Sequence, residues 1–269
     1  MTMPSHQSET TLSAIADAEG APALRRVSIA GLPEDTFVLE SPAVERLLFG
    51  RELVADAFAH ECLLASTDFC RMLGARLDTD DVSELLILNG GRYYGLAAAY
   101  GRVFGRPLAV NELKATRGCD DAGAWHADIS YRHYAYKSRT LLIGDTVATG
   151  ISAQVALEDY FSYHVPEEIV FFTICGGIPG ARVIAETCKR HGVRLTLVFG
   201  LAAFGLADNG TDLPFLHPDT VTAPRYLARA VEVYGGKQVC AIGDWGERGE
   251  DPAAYLANWD ATKRQWGLP

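Results

Sequence analysis

The stretch 141–152, LLIGDTVATGIS, joins an apolar run to a carboxylate and then to a loop of small residues. Asp145 follows the apolar run directly, and Thr149, Gly150 and Ser152 precede a helical pattern. The first amides of a helix lack partners within the helix and therefore attract anions, and hydroxyl side chains add further donors. Glycine lets the backbone approach a ligand closely. We interpret this loop as a phosphate-binding loop and Asp145 as a partner for sugar hydroxyl groups.

A Gly-rich turn follows an earlier apolar run, in LILNGGR at 86–92. Asn89, Gly90 and Gly91 form the turn, and Arg92 follows it. Small residues allow backbone amides to face an anion, and the guanidinium can offset its charge. Because ligands bind beyond the carboxyl ends of parallel strands, we expect this turn and the phosphate-binding loop to lie at one edge of a sheet.

The surrounding sequence alternates between strand-like and helix-like patterns, which favours an α/β fold with a mostly parallel central sheet flanked by helices. Helical spacing of apolar residues at 42–77 predicts a helical front end. The predicted strands are 84–90, 106–113, 139–145, 167–175, 193–200 and 237–244, and the predicted helices among them are 93–105, 151–164, 180–191 and 224–235. A last amphipathic helix is predicted at 250–266.

The chain divides into three parts on these patterns. Residues 1–24 are polar and small and are predicted to be a disordered tail without a secretory signal. Residues 25–200 contain the α/β core with its amino-terminal helices, and 201–269 form an extension. Residues 115–138 interrupt the alternation as a loop-like excursion or hairpin, and long insertions of this kind are often functional.

These motifs together resemble the type I phosphoribosyltransferases, which bind phosphoribosyl pyrophosphate (PRPP). The resemblance covers about 84–200 and implies the fold of that family, with the remaining segments forming a variable hood. Asp145 matches the second of the two acids in the PRPP signature, and Gly144 stands where the first acid is usual. If residue 144 faces the ribose, an acid placed there would restore the pair. The residues that match the 5′-phosphate loop are Ala148, Thr149, Gly150, Ile151 and Ser152.

The resemblance also implies where the pyrophosphate binds. Asn89, Gly90, Gly91 and Arg92 match the pyrophosphate loop, and Lys114 and Arg117 follow the next strand, where the family has basic residues that reach the same group. The excursion at 115–138 falls where the family carries a flexible catalytic loop, and its cations are Arg132, Lys137 and Arg139.

The implied activity is transfer of the phosphoribosyl group from Mg²⁺-bound PRPP to a nitrogenous base, with release of pyrophosphate. Asp145 would orient the ribose, while Arg92 and Lys114 would hold the leaving group. Oxygens of the substrate and waters would hold most of the Mg²⁺ coordination, with Asp145 acting through a water. IGDWGER at 242–248 resembles an element with which uracil phosphoribosyltransferases hold their base; a turn with Trp245 packed beneath it is the alternative.

Composition limits the partners. A net charge of −10 argues against nucleic acid or an anionic membrane as a partner, and no run approaches the roughly 18 apolar residues of a membrane helix. Six cysteines without a CxxC pair favour reduced thiols rather than disulfides or zinc. We therefore expect a soluble cytoplasmic protein that acts on small molecules, and we expect a homodimer.

Other interpretations stay open on the sequence alone. Asp145 would, in the simplest of them, only cap the following helix. The fold also suits a non-catalytic sensor of PRPP or nucleotides, or an enzyme that hydrolyses or phosphorolyses the N-glycosidic bond of a nucleotide.

Overall fold

The fold is known from a computed structural model that describes residues 21–74, 76–77, 79–119 and 125–268. Its strands are β1 (Ala23–Arg26), β2 (Thr36–Glu40), β3 (Val82–Leu88), β4 (Ala109–Cys119), β5 (Trp125–His133), β6 (Thr140–Gly144), β7 (Glu168–Thr173), β8 (Gly176–Gly177), β9 (Arg194–Gly200), β10 (Ala202–Phe204) and β11 (Val221–Thr222). Its α-helices are α1 (Pro42–Phe49), α2 (Ala55–Leu73), α3 (Leu96–Phe104), α4 (Ile151–Tyr163), α5 (Ile178–Arg190), α6 (Pro224–Tyr234), α7 (Trp245–Glu250) and α8 (Pro252–Trp266). A 3-10 helix spans Gly90–Tyr94.

An eight-stranded sheet forms the centre, in the order β1-β2-β9-β7-β6-β3-β4-β5. The strands from β2 to β4 in this order pair in parallel, and β1 and β5 add an antiparallel strand at each edge. A small second sheet has the order β11-β10-β8. The predicted α/β fold with a mostly parallel sheet is confirmed.

Helices cover both faces of the large sheet. One face packs against α1, α2, α3 and α6, and its core includes Phe69 and Phe172, whose rings stack with centroids 4.4 Å apart. The other face packs against α4 and α5 through residues such as Ile143 and Leu157. The strands between these layers are buried on both sides, which explains why Leu141, Leu142 and Ile143 of β6 are consecutive apolar residues rather than alternating with polar ones.

Several boundaries differ from the sequence-based ones. β1 begins at Ala23, inside the segment 1–24 that we assigned to a tail; residues 1–20 lie outside the described part. The helical front end is two helices, broken at 50–54. The strand predicted at 237–244 is wrong, because this segment makes only one isolated bridge, between Cys240 and Pro214.

The excursion at 115–138 is largely a β-hairpin. β4 and β5 pair along its length, with a register irregularity between Lys114 and Ala115, and residues 120–124 lie outside the described part. Among the described residues, no helix is both long and apolar enough to cross a membrane.

Candidate active site

A cavity of about 800 Å³ opens at the carboxyl ends of β3, β4 and β6. Two walls enclose it. The strand-end wall comprises residues 87–90, Ala115, Arg117 and residues 145–153. The second wall, which we call the C-terminal wall, comprises Arg51, residues 211–213 and residues of the segment 240–262.

Asp145 is the carboxylate of the strand-end wall. It follows β6 and is only 8% exposed, and its Oδ1 accepts a hydrogen bond of 2.8 Å from the amide of Thr146. Burial raises its pKa to about 7, although this amide and the charge of Arg117 act in the opposite direction. The carboxylate does not cap α4, whose N-cap residue is Gly150, so the capping interpretation does not hold.

The phosphate-binding loop predicted from sequence lies in the same wall. Ala148, Thr149, Gly150, Ile151 and Ser152 all line the cavity, and α4 begins at Ile151. The first amides of this 13-residue helix therefore lie beside the cavity.

Glycines determine how close this loop comes to α5. Gly150 has a φ of +82°, and a Cβ at that position would lie 2.6 Å from the carbonyl oxygen of Gly180. A Cβ on Gly180 would lie 2.8 Å from the amide nitrogen of Gly150. The small residues of CGGIPGA at 175–181 are thus needed to seat the phosphate-binding loop on α5.

The Gly-rich turn packs against the end of β6. A Cβ on Gly90 would lie 2.6 Å from Oδ1 of Asp145, and one on Gly91 would lie 2.9 Å from the carbonyl oxygen of Gly144. Asn89 and Gly90 line the cavity, and the peptide bond between Leu88 and Asn89 is cis. Gly91 is buried behind them.

The predicted pyrophosphate cations are only partly brought together. Arg117 lines the cavity, whereas Lys114 and Arg92 are exposed and do not line it. Arg92 lies on the ring of Tyr93 and 3.7 Å from a carboxylate oxygen of Glu250. Alternation along β4 explains the difference, because residues 115 and 117 share one face and Lys114 lies on the other.

The cations of the hairpin segment lie away from the cavity. Arg132 pairs with Asp159 at 2.8 Å, Arg139 pairs with Glu167 at 2.9 Å, and Lys137 lies 4.9 Å from the ring centroid of Tyr163.

Gly144, where the first acid of the PRPP signature is usual, faces a tyrosine ring. A Cβ at 144 would lie 2.8 Å from Cδ1 of Tyr94, a residue with no exposed surface. The Tyr94 hydroxyl accepts a 3.0 Å hydrogen bond from the amide of Ile174 and lies 3.2 Å from Oγ1 of Thr146. Residue 144 therefore faces this ring rather than the cavity, so the condition under which an acid there would restore a ribose-binding pair is not met.

The GDWGER element contributes to the C-terminal wall through residues 243–247, and Arg248 alone of its residues does not line the cavity. Asp244 caps α7 by accepting a 2.9 Å hydrogen bond from the amide of Glu247, and both residues line the cavity. Trp245 is buried with its ring edge-on to Phe58. Arg248 has no exposed surface and points away from the cavity into the protein.

Arg248 anchors the C-terminal wall to the end of α1 and the break that follows it. Its guanidinium donates hydrogen bonds of 3.0, 3.0 and 2.8 Å to the carbonyl oxygens of Leu53, Leu47 and Gly50. Two of these oxygens lie at the end of α1, where the helix dipole favours a positive charge. Arg248 is thus a structural anchor, whereas residues 243–247 of the element face the cavity.

Arg51 was not identified from the sequence. It lies in the break between α1 and α2, where neither spacing nor a motif marks it, yet it is 6% exposed and lines the cavity. Only the docking of α8 onto this break, through Tyr255 and Trp259, brings it into the site.

The described residues around the cavity do not form a metal site by themselves. Among the residues that the structure describes, no group of three His, Cys, Asp or Glu side chains converges so as to hold an ion. Asp145 alone fits an ion that arrives with its substrate and keeps several waters, as Mg²⁺ does.

Comparisons with known proteins give matches to solved structures. No family model and no curated protein matches the chain. Adenine phosphoribosyltransferase from Leishmania donovani is 14% identical with a TM-score of 0.41, covering 71% of this chain and 92% of that one. Adenine phosphoribosyl transferase from Trypanosoma brucei, in complex with AMP, pyrophosphate and ribose-5-phosphate, is 11% identical with a TM-score of 0.41, covering 78% and 99%.

Orotate phosphoribosyltransferase from Mycobacterium tuberculosis H37Rv, in complex with PRPP, is 17% identical with a TM-score of 0.35 and covers 59% of this chain and 94% of that one. At these identities the likeness concerns the fold alone.

Proposed function

We propose that this chain binds Mg²⁺-PRPP in the cavity and transfers its phosphoribosyl group to a nitrogenous base, with release of pyrophosphate. The observation that carries the proposal is the convergence of three features at one edge of the sheet. These are the phosphate-binding loop at the start of α4, the buried carboxylate of Asp145 and the Gly-rich turn at Asn89 and Gly90.

Each feature has a role in the proposed reaction. The loop binds the 5′-phosphate, Asp145 accepts hydrogen bonds from the ribose hydroxyls, and the turn with Arg117 holds the pyrophosphate. The bond from the anomeric carbon to a pyrophosphate oxygen breaks, a bond to the nitrogen of the base forms, and the proton of that nitrogen passes to the departing pyrophosphate. The protein acts mainly by positioning the reactants and excluding water, with the negative charge of Asp145 favouring a developing oxocarbenium ion.

A non-catalytic PRPP sensor is the second candidate, and a specific observation favours it. Tyr94 occupies the space beside Gly144, so only one acid of the usual pair is present. A protein that binds PRPP without turning it over tolerates this loss.

The experiment that tests the proposal has two stages. Calorimetry with Mg²⁺-PRPP measures binding, and a pyrophosphate-release assay then screens purines, pyrimidines and other heterocycles as acceptors. We expect binding that Asp145→Asn weakens, and pyrophosphate release with at least one acceptor.

The outcomes separate the candidates. Binding without pyrophosphate release across the whole panel supports the sensor. Release of free base from nucleotides without pyrophosphate indicates a hydrolase or phosphorylase. No binding of Mg²⁺-PRPP to the unmodified protein overturns both phosphoribosyl proposals.

A further inference from the structure

Arg51 is a buried cation whose charge no carboxylate of the described chain neutralises. It is only 6% exposed, and its guanidinium makes no ion pair with any described residue. Its Nε donates a 2.9 Å hydrogen bond to the hydroxyl of Tyr255, and Nη1 donates to the carbonyl oxygen of Cys240. A guanidinium has five N–H donors, so three remain for another partner.

The surroundings of Arg51 hold its guanidinium in place. The ring of Trp259 lies 4.5 Å and that of Tyr255 lies 5.8 Å from the guanidinium carbon. Gly243, with a φ of +64°, passes beside the group, and a Cβ there would lie 2.6 Å from Nη2. A glycine at this position thus leaves room for the guanidinium at the cavity wall.

A second buried arginine adds to the positive charge of this region. Arg248 lies 5.5 Å from the same Tyr255 ring, on which Arg51 also lies. Burial lowers the pKa of Arg248, and the neighbouring charge of Arg51 acts in the same direction. Arg248 is compensated by three carbonyl oxygens, whereas Arg51 has one carbonyl and one hydroxyl and faces the cavity.

The acidic residues of the cavity have other partners. Glu250 lies near Arg92, Asp244 caps α7, and Glu247 accepts a hydrogen bond from Asn258. Asp212 also lines the cavity and accepts from the neighbouring Thr211 hydroxyl, without pairing with Arg51.

We propose that Arg51 binds a carboxylate group carried by the acceptor base. The planar guanidinium matches a carboxylate with two parallel hydrogen bonds, and a low-dielectric wall strengthens them. Arg51 belongs to the C-terminal wall and not to the loop or the turn to which the proposed function assigns the two phosphate groups of PRPP. The inference rests on the proposed function and specifies its acceptor: a heterocyclic or aromatic amine that bears a carboxylate.

Matched carboxylate and carboxamide pairs test the inference. The probes are nicotinate with nicotinamide, orotate with orotamide, and anthranilate with anthranilamide, measured by calorimetry in the presence and absence of Mg²⁺-PRPP. We expect the carboxylate of at least one pair to bind ten- to a hundredfold more tightly than its amide, as a charge-assisted hydrogen bond would give.

Variants of Arg51 identify the residue responsible. Arg51→Met should abolish the preference for the carboxylate. Arg51→Lys should retain part of it, because the positive charge remains but the two parallel donors of the guanidinium are lost. Arg102→Met, an exposed arginine on α3, is the matched control and should leave the preference unchanged. If Arg51→Met does not fold, the preference in the unmodified protein decides.

The result that overturns the inference is equal binding of both members of every pair. A preference that survives Arg51→Met in the folded protein also overturns it. An Arg51→Met protein that keeps the preference but loses affinity for Mg²⁺-PRPP overturns it too, because Arg51 would then hold a phosphate group. Failure of the proposed function looks different, because the protein would then bind a carboxylate probe through Arg51 but neither bind PRPP nor release pyrophosphate.

Discussion

Tyr94 packs its ring against the backbone of Gly144, at the position where a PRPP signature usually has its first acid. The ring leaves no room for a Cβ, and the Tyr94 hydroxyl connects the Gly-rich turn to Ile174 after β7 and to Thr146 after β6. A contact between three strand ends thus occupies this position, and Asp145 is the carboxylate beside the loop.

Gly144→Ala should destabilise the protein by about 1–3 kcal/mol, because the added methyl group overpacks a buried contact. Thermal or urea unfolding measures the loss. The matched control is Gly101→Ala, where the nearest atom to the new Cβ is 3.7 Å away within α3, and the change should be neutral or stabilising by about 1 kcal/mol. In a Tyr94→Leu background, the loss of stability caused by Gly144→Ala should be smaller. An equal loss in both backgrounds would show that the Tyr94 ring is not what limits the space at residue 144.

Asp145→Asn should stabilise the ligand-free protein at high pH. Burial raises the pKa of Asp145 from 3.8 to about 7, so the native state binds the proton more tightly than the unfolded state. The stability linked to this proton is complete below pH 4 and is lost as the pH rises through 7. The variant should therefore be more stable by on the order of 2–4 kcal/mol at pH 8, with the difference vanishing towards pH 4.

The same variant should lose function. We expect at least a hundredfold loss of turnover, about 2.7 kcal/mol, because the amide lacks the charge that favours an oxocarbenium ion. The fold should stay intact by circular dichroism. Burial also raises the pKa of Glu84 to about 7. Glu84 is present in both proteins, so its effect on the pH dependence of stability cancels when the variant is compared with the unmodified protein. Normal turnover by Asp145→Asn would contradict the role assigned to this carboxylate.

Replacing Thr149 and Ser152 by valine should weaken binding of Mg²⁺-PRPP, because each change removes a hydroxyl donor to phosphate worth about 1.5–3 kcal/mol. Calorimetry measures the effect. Ser162→Ala is the control on the same helix; this exposed hydroxyl donates to the Asp159 carbonyl at the far end of α4 and should not change the affinity. Equal affinities of the unmodified protein, the valine variant and Ser162→Ala would contradict the assignment of this loop to the 5′-phosphate.

Arg248→Lys should destabilise the protein by about 3 kcal/mol, because one ammonium group cannot reach three carbonyl oxygens spaced for a guanidinium. Urea unfolding measures the change, and Arg102→Lys on the surface of α3 should stay within about 0.5 kcal/mol of the unmodified protein. A loss no larger than that of the control would show that Arg248 does not anchor the C-terminal wall.

The strand-end wall was predictable because its signals are local. An apolar run followed by Asp145 and a Thr-Gly loop shows where β6 ends and α4 begins, and the rule for parallel sheets then brings the Gly-rich turn to the same edge. The face of β4 on which Lys114 and Arg117 lie was not predictable. Strand alternation places the two residues on opposite faces, but which face meets the cavity depends on how β4 pairs with β3 and β5.

The C-terminal wall was largely hidden in the sequence. Residues 237–244 have the apolar content of a strand, but they lie against Leu213 and Arg51 rather than beside a sheet. Arg51 has no local signal at all, and its role follows from contacts across about 200 residues of chain, which composition and periodicity do not encode.

The attachment of Arg248 to Leu47, Gly50 and Leu53 has a consequence for how the molecule is made. These contacts span 195 to 201 residues, whereas β3, β4, β6 and α4 are neighbours in the chain. Contacts of such sequence separation form late, because a long loop must close before they are gained. A nascent chain therefore forms the strand-end wall before the C-terminal wall, and synthesis must pass residue 248 before the cavity can close.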